Sequence, residues 1–351
     1  SIAANASTIS NLHVTSAAIK QLTFLASFLL VFWLIVGLMR KPEDIDKMTR
    51  ILVGGAAVLG VFALVELWTK YNVFNHIDRV FPFLHATAAP VEQIRQGHIR
   101  VLASSQHPIA LGALFAMLIP MAIYLIRHTG QRRWWAATAV FALAALGTGS
   151  RTAVVMLFVI AIVYLVLRRR ETIRLWPALI PMVIMIHLAI PGAIGGFYKA
   201  FFPKGGLVAE QGGAPVGSSR VASLGPGLHV IGLHPLLGAG YGARVFQGPD
   251  RNSFIVDDQW LSTGMETGLL GIAAWAWVFV RFLRSTFRAS KQDDSPRGWM
   301  FTGIAAAVTA YAVGMFTYDA YSFIQTTFVL FFLLGLGCAA LAARDRPELR
   351  A

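Results

Sequence analysis

Nine long apolar segments run through this chain of 351 residues and restrict what it can fold into. A helix needs about 20 apolar residues to cross the hydrocarbon core of a bilayer. Lipid offers no hydrogen-bonding partner to backbone amides and carbonyls, so helices are the expected form of such segments. We predict an all-α polytopic membrane protein with about nine spans, near residues 18–39, 51–69, 108–127, 134–150, 152–168, 174–191, 258–283, 299–317 and 321–343.

The scarcity of charge supports this interpretation. Only 13% of the residues are charged, whereas soluble domains carry about 25%. A charge at the centre of a bilayer costs roughly 2.5–3.5 kcal/mol on insertion scales, so spans exclude it. The one cysteine, Cys338, lies in an apolar run and gives neither a disulfide framework nor a zinc cluster.

The net charge of +13 indicates membrane topology rather than nucleic-acid binding. Cytoplasmic loops of membrane proteins carry an excess of lysine and arginine. Alternate short loops hold 19 of the 30 basic residues, namely Arg40, Lys41, Lys47, Arg50, Arg127, Arg132, Arg133, Arg168, Arg169, Arg170, Arg174, Arg281, Arg284, Arg288, Lys291, Arg297, Arg344, Arg346 and Arg350. We predict that these loops are cytoplasmic. Residues 71–107, 147–152 and 192–257 are then expected to share the outer face.

A polar interruption rich in glycine and proline divides the apolar segments into two groups. We predict a bundle of six spans over residues 1–191 and an extracytoplasmic loop with short helices and active-site elements over 192–257. Three spans and a cytoplasmic tail are expected over 258–351. Residues 1–16 lack the basic region of a signal peptide, and the chain begins without methionine, so further spans are expected before it.

Arginines on the predicted outer face suggest an anionic ligand. The guanidinium group stays charged and donates paired hydrogen bonds to phosphate. Arg151 lies in a turn between two apolar segments, where an unpaired charge is costly, and this favours a functional role. Arg100 and Arg220 are equally consistent with function and with a surface position. Arg244 and Arg251 are more simply explained as surface arginines that meet phospholipid.

Acidic side chains near the same face are candidates for proton transfer. Asp257 and Asp258 stand at the start of a predicted span, where aspartate also caps helices. A cap explains only one of the two. Glu266 lies further along the same span, and Asp319 lies in the short outer turn before the last span, where it could join the site.

Two His-Pro pairs and a run of alternating glycines complete the polar features. His107 and His234 each precede a proline, which is typical of helix starts and turns. Histidine can also exchange protons near neutral pH. Gly238, Gly240 and Gly242 permit close approach of the backbone to a ligand or another helix. No Gly-Lys-Ser/Thr follows them, so they do not form a P-loop.

Taken together, these strings resemble the O-antigen ligase and O-antigen polymerase family of bacterial membrane glycosyltransferases. The strings are Arg-x6-His-Pro before a span, the Gly-Ser-Arg turn, a long outer loop with an arginine, HPLLGAGYG at 234–242 and DDQWLSTGMETGLLG at 257–271. The resemblance covers roughly residues 95–340. It implies a GT-C type helical fold whose active site faces outwards. It also implies transfer of a glycan from a polyprenyl diphosphate carrier to lipid A core, another glycan or a protein.

The resemblance further implies roles for particular residues. Arg151 and Arg220 match the arginines that would hold the diphosphate, and Arg100 would support them. His234 matches the His-Pro of the family's outer loop, Glu266 matches its helix-start glutamate, and we expect both to orient the reacting groups. The implied reaction is an inverting transfer without a metal or other cofactor.

One position departs from the family pattern. Ligases often carry His-Asn where this chain has Asp257-Asp258, and that histidine is the proposed base. A carboxylate can also deprotonate an acceptor hydroxyl, so Asp257 can take the same role. The difference favours a polymerase, or a transferase with another acceptor, over a lipid A core ligase.

A polytopic transporter, such as a flippase of lipid-linked glycans or an anion carrier, is the alternative function. Transporters place charges near the bilayer midplane and often consist of repeated halves. The predicted spans are almost free of charge apart from Glu66 and Glu266, and no repeat is evident. The polar residues collect at one face, which favours an enzyme that acts at the membrane surface.

Overall fold

The computed structural model describes residues 1–11, 13–79, 81–83, 93–95, 98–175, 177, 179–190, 193–203, 205–206, 220–243 and 256–345. Its α-helices are α1 (Ala6–Asn11), α2 (Thr15–Leu38), α3 (Pro42–Thr69), α4 (Pro108–Thr129), α5 (Arg132–Gly147), α6 (Arg151–Leu167), α7 (Arg169–Arg174), α8 (Leu179–Ala189), α9 (Ala193–Phe201), α10 (Arg220–Leu233), α11 (Gln259–Lys291), α12 (Pro296–Gly314) and α13 (Ile324–Asp345). Strand β1 (Ile94–Arg95) pairs antiparallel with β2 (His98–Ile99). Short 3-10 helices cover Ala3–Asn5, Val73–Arg79 and Ala320–Ser322.

The all-α polytopic architecture is confirmed, since each predicted span contains a helix. Within the described residues, five helices are long and apolar enough to cross a membrane: α2, α3, α4, α11 and α13. The helices α5, α6 and α8 have only 16, 17 and 11 residues. They are therefore about 16–26 Å long, less than the ~30 Å hydrocarbon core. Nine membrane crossings remain a prediction.

The helices α4 and α12 form the buried centre of the bundle. Nearly all of α4 is shielded by its neighbours. The facing helix α12 carries the run Ala305, Ala306 and Ala307, and such small side chains allow helix backbones to approach closely. The outer helices expose large apolar side chains such as Trp33 and Trp277, as expected of a surface that meets lipid.

The two ends of the bundle differ in chemistry. Helices α4, α6 and α11 all begin at one end, which we call the site end. At the opposite end, the buried Arg168 ties α6 to the connection between α11 and α12. Its guanidinium contacts the Asp294 carboxylate at 2.6 Å and the carbonyls of Ser290 and Asp293 at 2.8 and 2.7 Å. Arg168 belongs to the basic set that the sequence assigns to the cytoplasm.

Helix α11 is broken at Gly268, and a loop segment fills the break. Gly268 adopts φ 67° and ψ −166°, a conformation that is essentially restricted to glycine. The amide of Leu269 donates to the carbonyl of Pro235 at 2.8 Å, and the amide of Leu270 donates to that of Leu236 at 3.4 Å. The loop thus supplies acceptors where the helix is interrupted, as a break within a predicted membrane span requires.

The same loop also supplies donors to the other side of the break. The carbonyl of Met265 accepts from the amide of Ala239 at 2.8 Å, and that of Glu266 accepts from Gly240 at 3.1 Å. Gly238 lies so close that an added Cβ would stand 2.3 Å from the carbonyl carbon of Glu266. The predicted close backbone approach is therefore confirmed, and its partner is a helix. We call residues 235–240 together with 265–270 the interlock.

Candidate active site

Arg220 joins two other chain segments at the site end. It is the first residue of α10. Its Nε donates to the carbonyl of Asp257 at 3.2 Å, and its Nη2 donates to the carbonyl of Thr317. Burial lowers the pKa of Arg220, while the charge of Asp257 raises it and that of Arg151 lowers it. These charged groups are therefore close enough to interact, and the guanidinium still remains protonated.

Arg151 approaches the same place from the start of α6. Ser150 caps this helix, because its hydroxyl accepts from the amide of Ala153 at 3.4 Å. The hydroxyl of Thr317 donates to Oγ1 of Thr152 at 2.9 Å and fixes the helix start. Helix N-termini carry positive potential that attracts anions. Two guanidinium groups and the starts of α6 and α10 therefore make this end suitable for a phosphate group.

Arg100 lies against the turn that precedes Arg151. Its Nε donates to the carbonyl of Thr148 at 2.8 Å, and its side chain is only 8% exposed. An added Cβ on Gly149 would lie 3.9 Å from the Arg100 side chain. The turn itself is as predicted, since α5 ends at Gly147 and α6 begins at Arg151.

The two adjacent aspartates have different environments. Asp258 is the N-cap of α11, because its Oδ1 accepts from the amide of Leu261 at 3.0 Å. Burial raises the pKa of Asp258, and this hydrogen bond opposes the rise. Burial also raises the pKa of Asp257, with Arg220 lowering it and Asp319 raising it further. Capping therefore explains Asp258, and Asp257 is the carboxyl group that couples to both Arg220 and Asp319.

The turn at residues 315–322 holds the site together. The amide of Gln259 donates to the carbonyl of Met315 at 2.7 Å, and Oε1 of Gln259 accepts from the amide of Tyr321 at 2.8 Å. The buried carboxylate of Asp319 accepts from the Ser322 hydroxyl at 2.6 Å. Asp319 is also close enough to Asp257 for their charges to interact, as the sequence allowed.

Thr317 is the residue that sequence reasoning missed. Its backbone carbonyl receives Arg220, and its hydroxyl reaches Thr152. The carbonyl carries the contact to Arg220, and every residue type has one, so no side-chain motif could reveal it. The only available signal was its position beside Asp319 in a short turn at the predicted outer face.

His107 caps a helix. Its Nδ1 accepts from the amide of Ile109 at 3.2 Å, and its ring stacks on Phe323 with centroids 5.5 Å apart. Burial lowers the pKa of His107 to about 4, and the nearby charge of Arg100 contributes. The ring is therefore neutral near pH 7 and serves as a hydrogen-bond acceptor, in agreement with the helix-start interpretation.

Glu266 belongs to the interlock, and His234 immediately precedes it. Glu266 follows Asp258 by eight residues, or ~12 Å along the helix axis. His234 follows the whole of α10, so ~20 Å of helix separates it from Arg220. Their predicted orienting roles remain predictions. Arg244 and Arg251 fall outside the described residues.

Comparison with known proteins gives a match to one family model. Residues 136–276 match the model of the O-antigen ligase family, and this range includes Arg151, Arg220 and Asp257. A search of curated proteins found no match. The apolar helices and the family match together indicate a multi-pass membrane protein that is similar to O-antigen ligases over the matched residues. This likeness to the O-antigen ligase family extends over residues 136–276 and agrees with the resemblance noted in the sequence.

Proposed function

We propose that the protein is an inverting, metal-independent glycosyltransferase that uses an undecaprenyl-diphosphate-linked glycan as donor. The acceptor is a hydroxyl group of a growing glycan, a lipid or a protein. The enzyme acts at the outer face of the bacterial inner membrane, because the site lies at the end away from the basic loops. The main support for this proposal is that Arg151 and Asp257 both lie close enough to Arg220 for their charges to interact. Arg220 also donates hydrogen bonds to the carbonyls of Asp257 and Thr317.

The arginines would stabilise the leaving group. When the bond between the anomeric carbon and the diphosphate oxygen breaks, the electron pair and the negative charge remain on undecaprenyl diphosphate. Arg151 and Arg220 would neutralise this charge, with Arg100 in support. A preorganised donor of this kind is worth about 10²–10³-fold in rate. The arginines thus take the part that a divalent cation plays in other transferases.

Asp257 would activate the acceptor. Its carboxylate takes the proton of the acceptor hydroxyl, and the oxygen attacks the anomeric carbon from the face opposite the diphosphate. One carbon–oxygen bond forms as one breaks, and attack from the opposite face in this single displacement inverts the configuration. The proximity of Asp257 to Arg220 supports this role, because base and leaving-group site then border one substrate. His234 and Glu266 would orient the reacting groups.

Vesicle assays with the purified protein test the proposed reaction against the flippase alternative. We expect joined glycan and free undecaprenyl diphosphate to appear together, and Arg220→Ala to slow this transfer by about 10²–10³-fold. Arg284→Ala, an exposed arginine on α11 at the opposite end, is the matched control and should keep the wild-type rate. Movement of intact donor across the bilayer without joined product would instead identify a carrier.

The pH dependence of transfer should report the Asp257 carboxyl group. A base must be deprotonated, so transfer is lost as the pH falls through the pKa of Asp257. Burial raises this pKa above its ordinary value of 3.8, which places the acid limb above that value. The charge of Asp319 adds to the rise, so Asp319→Asn should move the limb to lower pH. Profiles of kcat/KM measure this, and a shift to higher pH would contradict the assignment.

A further inference from the structure

Glu66 is a buried acid that the proposed reaction does not use. It lies in the last turn of α3 and is 6% exposed. Its carboxylate accepts from the amide of Ala103 at 2.6 Å and from that of Leu102 at 3.2 and 3.3 Å. A buried carboxylate is stable when such donors surround it. The two donor residues, Leu102 and Ala103, follow Arg100 closely in the chain.

Asn72 completes the attachment of this segment. Its Nδ2 donates to Oε1 of Glu66 at 3.2 Å and to the carbonyl of Ala103 at 2.9 Å. Ala103 has φ 46°, a left-handed conformation that is unfavourable for a residue with a Cβ. Such a conformation persists only where surrounding contacts enforce it. Glu66 and Asn72 hold both the amide and the carbonyl of Ala103, so they provide that enforcement.

We propose that Glu66 is a positioning residue for the diphosphate site, because it fixes the backbone of Leu102 and Ala103 and thereby places Arg100 against the Thr148–Arg151 turn. This inference rests on the proposed function. Arg100 Nε donates to the Thr148 carbonyl at 2.8 Å. The fixed backbone of Leu102 and Ala103 holds Arg100 in this position. A shift of the segment would move the Arg100 guanidinium away from the Thr148 carbonyl and out of its place in the site.

A double-mutant cycle with undecaprenyl diphosphate as the probe tests this role. In full-length protein in detergent, Arg100→Gln and Glu66→Gln should each weaken binding about tenfold. Residues that act through one another are not additive, so the double variant should also be about tenfold weaker rather than about a hundredfold. Glu43→Gln, an exposed acid at the other end of α3, is the matched control and should bind normally. Additive losses, or normal binding by Glu66→Gln, overturn the proposal.

Two further measurements keep the test decisive. If Glu66→Gln fails to fold, Asn72→Ala replaces it and should show a smaller loss that is again not additive with Arg100→Gln. Arg151→Gln and Arg220→Gln are measured in the same assay. If they weaken binding and the Glu66 cycle is additive, the positioning role alone is wrong. If neither changes binding, the proposed function and the positioning role both fail.

Discussion

Asp257→Asn is expected to reduce glycan transfer by about 10²–10⁴-fold, the usual contribution of a positioned general base. The asparagine amide has nearly the same shape but cannot take the acceptor proton. Donor binding should change little, because Arg220 contacts the backbone carbonyl of Asp257, which the substitution leaves in place. Initial rates at saturating donor, with donor affinity measured separately, distinguish these effects.

Asp258→Asn is the matched control for this experiment. The two aspartates are adjacent, both are partly buried, and the charge of each acts on Arg220. Asp258 caps α11, and asparagine caps helices about as well as aspartate. We therefore expect near-normal transfer from this variant. Equal losses in both variants would show that negative charge near Arg220 matters rather than a base at Asp257.

Gly268→Ala is expected to have the largest effect on stability. Its backbone conformation is strained for any residue with a Cβ, which costs about 1–3 kcal/mol. The added Cβ would also lie 2.3 Å from the carbonyl oxygen of Leu236, and overpacking of this kind typically costs a further 1–3 kcal/mol. The loss should appear as earlier unfolding on heating in detergent, followed by size-exclusion chromatography.

Gly54→Ala serves as the control for the glycine experiment. Gly54 is in the middle of α3, and an added Cβ would meet no atom within 4 Å. Alanine favours helices over glycine by about 1 kcal/mol, so this variant should be as stable as the parent or more so. An unchanged unfolding temperature for Gly268→Ala would show that the interlock contributes little to the fold.

Much of the fold could be predicted from apolar segment length and loop charge. These properties act locally, so each predicted span contains a helix, and the turn before Arg151 is where the sequence places it. The break in α11 could not be predicted in the same way. Gly268 lies within an apolar stretch that looks like a continuous helix, and its conformation depends on a loop about 30 residues earlier in the chain.

The candidate site was predictable where side-chain chemistry determines it. Residue type marked Arg151 and the two adjacent aspartates as candidates, the family resemblance added Arg220, and His-Pro indicated the cap at His107. The contacts of Arg220 to the carbonyls of Thr317 and Asp257 were not predictable, because every residue type has a main-chain carbonyl and the sequence does not show which one accepts. The arrangement at Glu66 also depends on tertiary contacts, although the sequence did mark it as a charge within a span.

The interlock has a consequence for how this protein can be varied. Residues 235–240 and 265–270 exchange hydrogen bonds in both directions, and each contains a glycine pressed against the backbone of the other. Neither segment therefore has a complete set of partners without its counterpart. A chimera with a relative should therefore exchange both segments at once. The two segments are separate in the sequence, but each depends on the other for its hydrogen bonds.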